Sequence, residues 1–281
     1  MWRTQQLKRA MGRKSTQEAQ ATMLSVEGLS STYGDRKILR DVSFSVKGGE
    51  IFVIMGRSGS GKTTLLKHLI GLNTSGEGSV KLLGHSLSTL KKNALYNLRK
   101  RIGVAFQGGA LINSMNIIDN VELPLHQNTK LDSATIRIMS RMKLKMVSLI
   151  DAEHLMPTQL SGGMLKRAGL ARAVVMDPDL LFFDEPSAGL DPVTSAAIDE
   201  LILNLRDALK MTVVVVTHEL DSALKIADRI MILGDGEIVA LGTIDEIKQL
   251  MDPRVQSLLH RRPPDSSPDD EKYLDNLTRK Q

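Results

Sequence analysis

The chain contains no cysteine. Disulfides, thiolate metal sites and thiol nucleophiles are therefore excluded, and a reducing compartment is expected. Aromatic residues make up only 3% of the 281 residues, too few for the stacking platforms that hold single-stranded bases. No run reaches the roughly 20 apolar residues that a membrane-spanning helix needs. The longest runs, "IFVIM", "LLFF" and "TVVVV", have the length of strands. Acidic residues are scarce in one place only. Arg3, Lys8, Arg9, Arg13 and Lys14 face a single acid, Glu18, and carry most of the formal net charge of +5. The rest of the chain is close to balanced, so its basic character does not argue for a nucleic-acid partner, and none is expected. Residues 1–22 lack the apolar stretch of a secretory signal. They are expected to form a disordered basic arm, either solvated or resting on an anionic membrane.

What is present is alternation between short apolar runs and helix-type segments. "IFVIM" leads into a helix from Lys62, "DLLFF" into one starting near Pro192, and "TVVVVT" into "ELDSALKIA". Continuous Val/Ile/Leu/Phe runs suit parallel strands covered on both faces, so the fold class is α/β. "MLSVEGLSSTY" and "VSFSV" alternate more strictly and predict a small antiparallel sheet near the N-terminus. From about 107 to 166 the alternation stops and the pattern becomes helical. There "DSATIRIMSRMKLKMVSLI" places Ile136, Met139, Met142, Met146 and Ile150 near one face, as a core stripe or an adaptable partner surface. Residues 251–281 form a C-terminal extension: a short helix, then the Pro-, Ser- and acid-rich linker "RRPPDSSPDDEK", then Tyr273, Leu274 and Leu277 on one turn. That last patch either docks on a neighbouring subunit or belongs to an unbound tail.

Two motifs carry chemistry. "GRSGSGKTT" spans Gly56, Arg57, Ser58, Gly59, Ser60, Gly61, Lys62, Thr63 and Thr64 between an apolar strand and a helix, the context required of a phosphate-binding loop. Its glycines let backbone N–H groups converge on phosphate oxygens. Lys62 adds a point charge, and the Thr63 hydroxyl is a hard oxygen donor suited to Mg²⁺. The second motif, "LLFFDEP", ends a strand in Asp184 and Glu185, where ligands of open α/β sheets gather. Asp184 is placed to hold Mg²⁺ and Glu185 to polarise an attacking water. His218 closes the strand "VVVVTH" at the same edge. Gln107 follows "IGVAF", within reach of the metal or the water.

"LSGGM", residues 160–164, is a second anion-binding helix start without a phosphate lysine. Taken in order, "GRSGSGKTT", Gln107, "LSGGM", "LLFFDEP", "SAGLD" and "TH" resemble the nucleotide-binding subunits of ABC transporters over about residues 23–245. The resemblance implies a P-loop NTPase core with a small antiparallel β subdomain and a helical insertion at about 107–166, within an ATPase domain of residues 23–250. It implies ATP hydrolysis with Mg²⁺. It also implies two copies packed head to tail, so that Ser161, Gly162 and Gly163 of one cap the phosphate held by the other, with Asp191 at the interface and Tyr33 stacked on adenine. Met164, where the commonest family form has Gln, is similar together with "FQGGALINSMNIIDNVELPL" to the MCE-associated, phospholipid-trafficking branch. That branch implies an integral permease, an MCE-domain lipid-binding protein reached through it, a place for a small STAS-type regulatory subunit, and a location on the cytoplasmic face of a bacterial inner membrane. An importer or exporter of another solute, or a non-transport ABC protein acting on ribosomes or DNA, are the alternatives. The last is disfavoured by the single cassette and the absence of long heptads.

The cradle yields a first prediction. Lys62→Ala removes charge and hydrogen bonds from the phosphates together and is expected to weaken ATP binding by the purified chain at least about tenfold, on the order of 1.4 kcal/mol. Equal affinity for wild type and variant in a fluorescence titration contradicts the assignment.

Overall fold

A computed structural model describes residues 21–73 and 76–260. Residues 1–20 of the basic arm, and the linker and apolar patch beyond residue 260, lie outside the described residues; the expected end of the arm at 22 is displaced, because Thr22 already belongs to the first strand and Ala21 O accepts from Gly48 N at 2.9 Å.

The first two strands, β1 (Thr22–Tyr33) and β2 (Arg36–Lys47), form an antiparallel hairpin with Tyr33 opposite Arg36. With β4 (Glu77–Leu82) and β5 (His85–Ser86) they make a four-stranded sheet in the order β2-β1-β4-β5. The antiparallel sheet expected from the alternating segments is therefore present, and β4 and β5 extend it. Between β2 and β4 the chain crosses to the second sheet through β3 (Ile51–Gly56) and returns along helix α1 (Lys62–Leu69). Helix α2 (Lys92–Arg99) then leads to β6 (Ile102–Ala105).

The second sheet also contains β7 (Leu180–Asp184), β8 (Thr212–Thr217), β9 (Arg229–Gly234) and β10 (Glu237–Gly242), in the order β10-β9-β3-β8-β7-β6. Strands β9, β3, β8, β7 and β6 are parallel; only β10 runs antiparallel, on β9. All six residues of β3 and of β8 are buried. The reason is visible in how their side chains divide. Ile51, Val53 and Met55, with Val213 and Val215, face one hydrophobic cluster, while Phe52 and Ile54, with Val214 and Val216, face the other. Period-two side chains on a sheet covered on both faces produce an unbroken apolar run. The second cluster is closed by β1, β2 and the buried Leu65, Leu66 and Leu69 of α1.

The first cluster is closed by helices. Between β6 and β7 the chain forms α3 (Ile117–Asn128), α4 (Ser133–Met146) and α5 (Gly162–Ala173). Helices α6 (Pro192–Leu209) and α7 (Leu220–Ile226) cover the same face, and α8 (Ile244–Gln249) and α9 (Pro253–Leu259) follow β10. The expected stripe on α4 differs in one member. Ile136 is buried and Met139, Met146 and Ile150 pack against the core, but Met142 is 61% exposed. At about 100° per residue, Met142 lies about 120° round the helix from Ile136, and the buried face runs instead through Ser140, Lys143 and Leu144.

One buried amide ties together the second half of the loop from Phe106 to Asn116. Asn120 is fully buried and accepts from Ile112 N at 2.8 Å, and its two amide protons are shared among the carbonyls of Ile112, Met115 and Asn116, 3.0–3.1 Å from its Nδ2. Asn120→Leu leaves these backbone groups without their buried partner and is expected to cost about 2–4 kcal/mol of stability. Urea unfolding of the full chain checks this, and an unchanged midpoint means the loop is held by other contacts.

Candidate nucleotide site

Because β3, β6, β7 and β8 are parallel, their carboxyl ends lie at one edge of the sheet. That edge collects Gln107, Asp184, Glu185 and His218 around a cleft of about 640 Å³. Ser58, Gly59, Gly61, Lys62, Thr63 and Thr64 form one wall of the cleft, and Gln107, Asp184, Glu185 and His218 the other. Gly56, Arg57 and Ser60 border a neighbouring groove on the outer side of the same loop, between it and α9.

The loop must lie close against β9. A Cβ on Gly56 would stand 2.4 Å from Leu233 O and 2.5 Å from Ser60 Oγ, so a side chain there displaces backbone. The turn between β9 and β10 seals the contact, with Gly236 N donating to Ser60 O at 3.2 Å. Helix α1 starts at Gly61, φ 103°, with no side-chain cap. An uncapped helix start directs N–H groups and the positive end of the helix dipole into the cleft. Lys62 is buried, and its Nζ donates to Gly56 O at 2.6 Å and Arg57 O at 2.9 Å. Burial pulls the Lys62 ammonium below the usual lysine range, and the charges of Glu185 and Asp184 oppose that shift.

A phosphate chain fits this cradle: among the described residues the ammonium rests on loop carbonyls, which phosphate oxygens can replace, and the helix start has no side-chain cap. Mg²⁺ fits as well. Thr63, Gln107 and Asp184 bring a hydroxyl, an amide and a carboxylate to one cleft, all hard oxygen donors for an ion that keeps several waters. Asp184 is pushed above the ordinary carboxylate range by burial and by Glu185, against the pull of Lys62 and Lys166. A cation beside it favours the ionised form.

Glu185 follows β7 with φ 51°, a left-handed conformation that is uncommon for a residue with a side chain. Its N–H donates to Val216 O at 2.8 Å. Its Oε2 accepts from the Thr217 hydroxyl at 3.3 Å and lies 2.9 Å from His218 Nδ1. The strand end and the histidine therefore hold the carboxylate together, which sequence spacing alone does not reveal.

The remaining expected residues stand apart from this cleft. Ser161 caps α5, its Oγ accepting from Met164 N at 3.3 Å, which leaves the hydroxyl proton free to donate elsewhere. Asp191 caps α6 by accepting from Val193 N and Thr194 N, both at 3.0 Å. The Thr194 hydroxyl and these N–H groups hold its carboxyl below the usual range. The two helix starts touch, since a Cβ on Gly163 would meet Thr194 Cγ2 at 2.7 Å. Ser161, Gly162 and Asp191 are exposed side by side with Gly163 buried between the two helix starts, and none of the four borders the cleft that holds Lys62. Tyr33 ends β1 and is 85% exposed.

Four residues around the site were not singled out from sequence. Arg36 and Ile38 of β2 line the cleft; they follow Tyr33 closely, and that adjacency was the available signal. Arg172 on α5 donates to Gly109 O and Ala110 O, both at 2.9 Å, and pins the backbone just after Gln107. Lys166, also on α5, donates to Glu185 O at 2.6 Å. Neither contact has a sequence signature, because each joins residues on different elements.

Comparison with known proteins agrees with this geometry. Residues 39–188 match the family model described as ABC transporter. The chain is 41% identical over 243 residues to the intermembrane phospholipid transport system ATP-binding protein MlaF of Escherichia coli (strain K12), covering 86% of this chain and 90% of that protein. It is 38% identical over 239 residues to the probable ribonucleotide transport ATP-binding protein mkl of Mycobacterium tuberculosis (strain ATCC 25618 / H37Rv), covering 85% and 67%. Among solved structures it is similar to the dimeric post-hydrolysis state of the ATP-binding cassette MJ0796 bound to ADP and Pi, with a TM-score of 0.73 and 33% identity over 79% of this chain and 99% of that one. With a family model over more than half its length and relatives of this identity over most of it, the chain belongs to the ABC transporter ATPases.

Proposed function

We propose that the chain is the ATPase of a system that moves phospholipid between bacterial membranes, as the name of its Escherichia coli relative states for that protein. Two copies assemble head to tail and work beneath an integral permease on the cytoplasmic face of the inner membrane. An MCE-domain lipid-binding protein joins through the permease, and a small STAS-type subunit has the helices α3 and α4 as its accessible surface. The observation that carries the head-to-tail arrangement is the separation of the two helix starts. The cradle residues line one cleft, while Ser161 and Gly162 lie exposed at a separate helix start, beside the start that Asp191 caps. A phosphate brought by a second copy is what gives that surface a ligand.

The chemistry follows from the side chains at the cleft. ATP enters with its phosphates against the loop N–H groups and the start of α1, and Lys62 exchanges its carbonyl partners for phosphate oxygens. Tyr33 stacks on the base, with Arg36 beside it. Thr63, Gln107 and Asp184 would hold Mg²⁺, which would supply charge neutralisation for the phosphates. Glu185 accepts the proton of the attacking water, and His218, 2.9 Å from it, fixes the carboxylate and stands where charge builds on the transferred phosphoryl group. Opening and closing of the pair reaches the permease through α3 to α5. Arg172 ties α5 to the loop after Gln107. A different solute is the second reading, favoured by the name of the mycobacterial relative. Mass spectrometry of lipids co-purifying with the native membrane complex separates the two.

Two outcomes test the mechanism. Glu185→Gln keeps the shape of the side chain but removes its basicity. It is expected to lower phosphate release by the assembled transporter by about 10²-fold or more with ATP binding retained; turnover near that of wild type rejects Glu185 as the base. Ser161→Arg puts a bulky cation in place of a small donor. The isolated chain should bind ATP as before, while ATP-driven dimerisation in a Glu185→Gln background is abolished in sedimentation. Loss of ATP binding by the monomer instead means that the Ser161 turn serves its own nucleotide.

A further inference from the structure

Lys166 is a buried cation that takes no part in the hydrolysis just described. It lies on α5, 6% exposed, one turn beyond the Gly162 start of the helix. Among the described residues its ammonium has a single hydrogen-bond partner, Glu185 O at 2.6 Å, although an ammonium carries three donors. It forms no ion pair among those residues, but Glu185, Asp184 and Glu219 are close enough for their charges to act on it. A buried ammonium without an ion pair is costly. An apolar side chain of similar length would fill the space at less expense, so packing alone does not account for the lysine.

The acceptor is what gives the contact its meaning. Glu185 is the first residue after β7, and it adopts φ 51° where most residues with a side chain avoid positive φ. Its peptide is gripped from two elements. β8 takes its N–H through Val216 O, and α5 holds its carbonyl through Lys166. With both backbone groups fixed, the side chain is directed to Thr217 and His218. We propose that Lys166 is a positioning residue for Glu185: its hydrogen bond to the Glu185 carbonyl holds the backbone conformation that aims the carboxylate. The proposal rests on Glu185 being the base. Because α5 also carries Ser161 and Gly162 one turn earlier, the same side chain links the turn offered to a partner's nucleotide to the chain's own base.

The test is a double-variant cycle on phosphate release by the full chain in its permease complex, with and without Glu185→Gln. Lys166→Met keeps the length and removes the donor. It is expected to lower kcat by about tenfold or more, the scale of a misplaced catalytic group, with the KM for ATP within about twofold because the lysine does not touch nucleotide. In the Glu185→Gln background the same change is expected to cost nothing further, since the group it positions is already disabled. Lys166→Arg, which retains a long donor, is expected to recover most of the activity. If Lys166→Met does not fold, Lys166→Gln is measured in the same two backgrounds with the same expectation of non-additivity. An unchanged kcat, or an equal fold-loss in both backgrounds, overturns the proposal. High turnover by Glu185→Gln alone overturns the base assignment instead, so the two failures are told apart.

Discussion

Backbone N–H groups can bind phosphate only if a loop runs close to the ligand with no side chains in the way, and this site is arranged around that constraint. The loop after β3 lies so tightly against β9 that Gly56 has no room for a Cβ. Helix α1 begins uncapped at its far end. β3 sits in the middle of the sheet, between β8 and β9, so the loop opens where neighbouring strands also end. The acids of β7, the histidine after β8 and the glutamine after β6 reach the same cleft for this topological reason.

Two helix starts away from the cleft are handled differently. α5 is capped by Ser161 and α6 by Asp191, so their first N–H groups are partly satisfied in cis. A capped start is stable without a ligand, whereas the open start of α1 is completed by one. The contact of Gly163 with Thr194 keeps the two capped starts side by side. They therefore present a single surface to whatever approaches.

Burial and the neighbouring opposite charges act against each other in the cleft. Lys62 and Lys166 are both buried, and burial lowers the pKa of each against the pull of the same two acids. Asp184 shows the reverse, raised by burial and by its neighbour Glu185. The two lysines approach the acid pair from different elements, α1 and α5. Each donates to backbone carbonyls rather than to a carboxylate. Neither lysine therefore occupies a carboxylate oxygen of the acid pair, and Glu185 is held instead by Thr217 and His218.

Much of this was legible from sequence. The strands Ile51–Gly56, Leu180–Asp184 and Thr212–Thr217 announce themselves as apolar runs because both faces of the sheet are covered. The helices beginning at Lys62 and Pro192 follow from their motifs and the N-terminal proline. Strands β9 and β10 and helix α2 carried weaker patterns and were not singled out. The misplaced Met142 shows how evenly spaced apolar residues can still leave the buried face of a helix. The phosphate loop, the acid pair and the Ser161 turn are each contiguous in the chain, so local geometry is enough to define them. Tertiary structure alone decided that Lys166 grips the carbonyl of Glu185, that Arg172 pins the loop after Gln107, and that Arg36 borders the cleft. These contacts depend on strand order and on the approach of separate elements, and no residue spacing along the chain encodes a distance across a sheet.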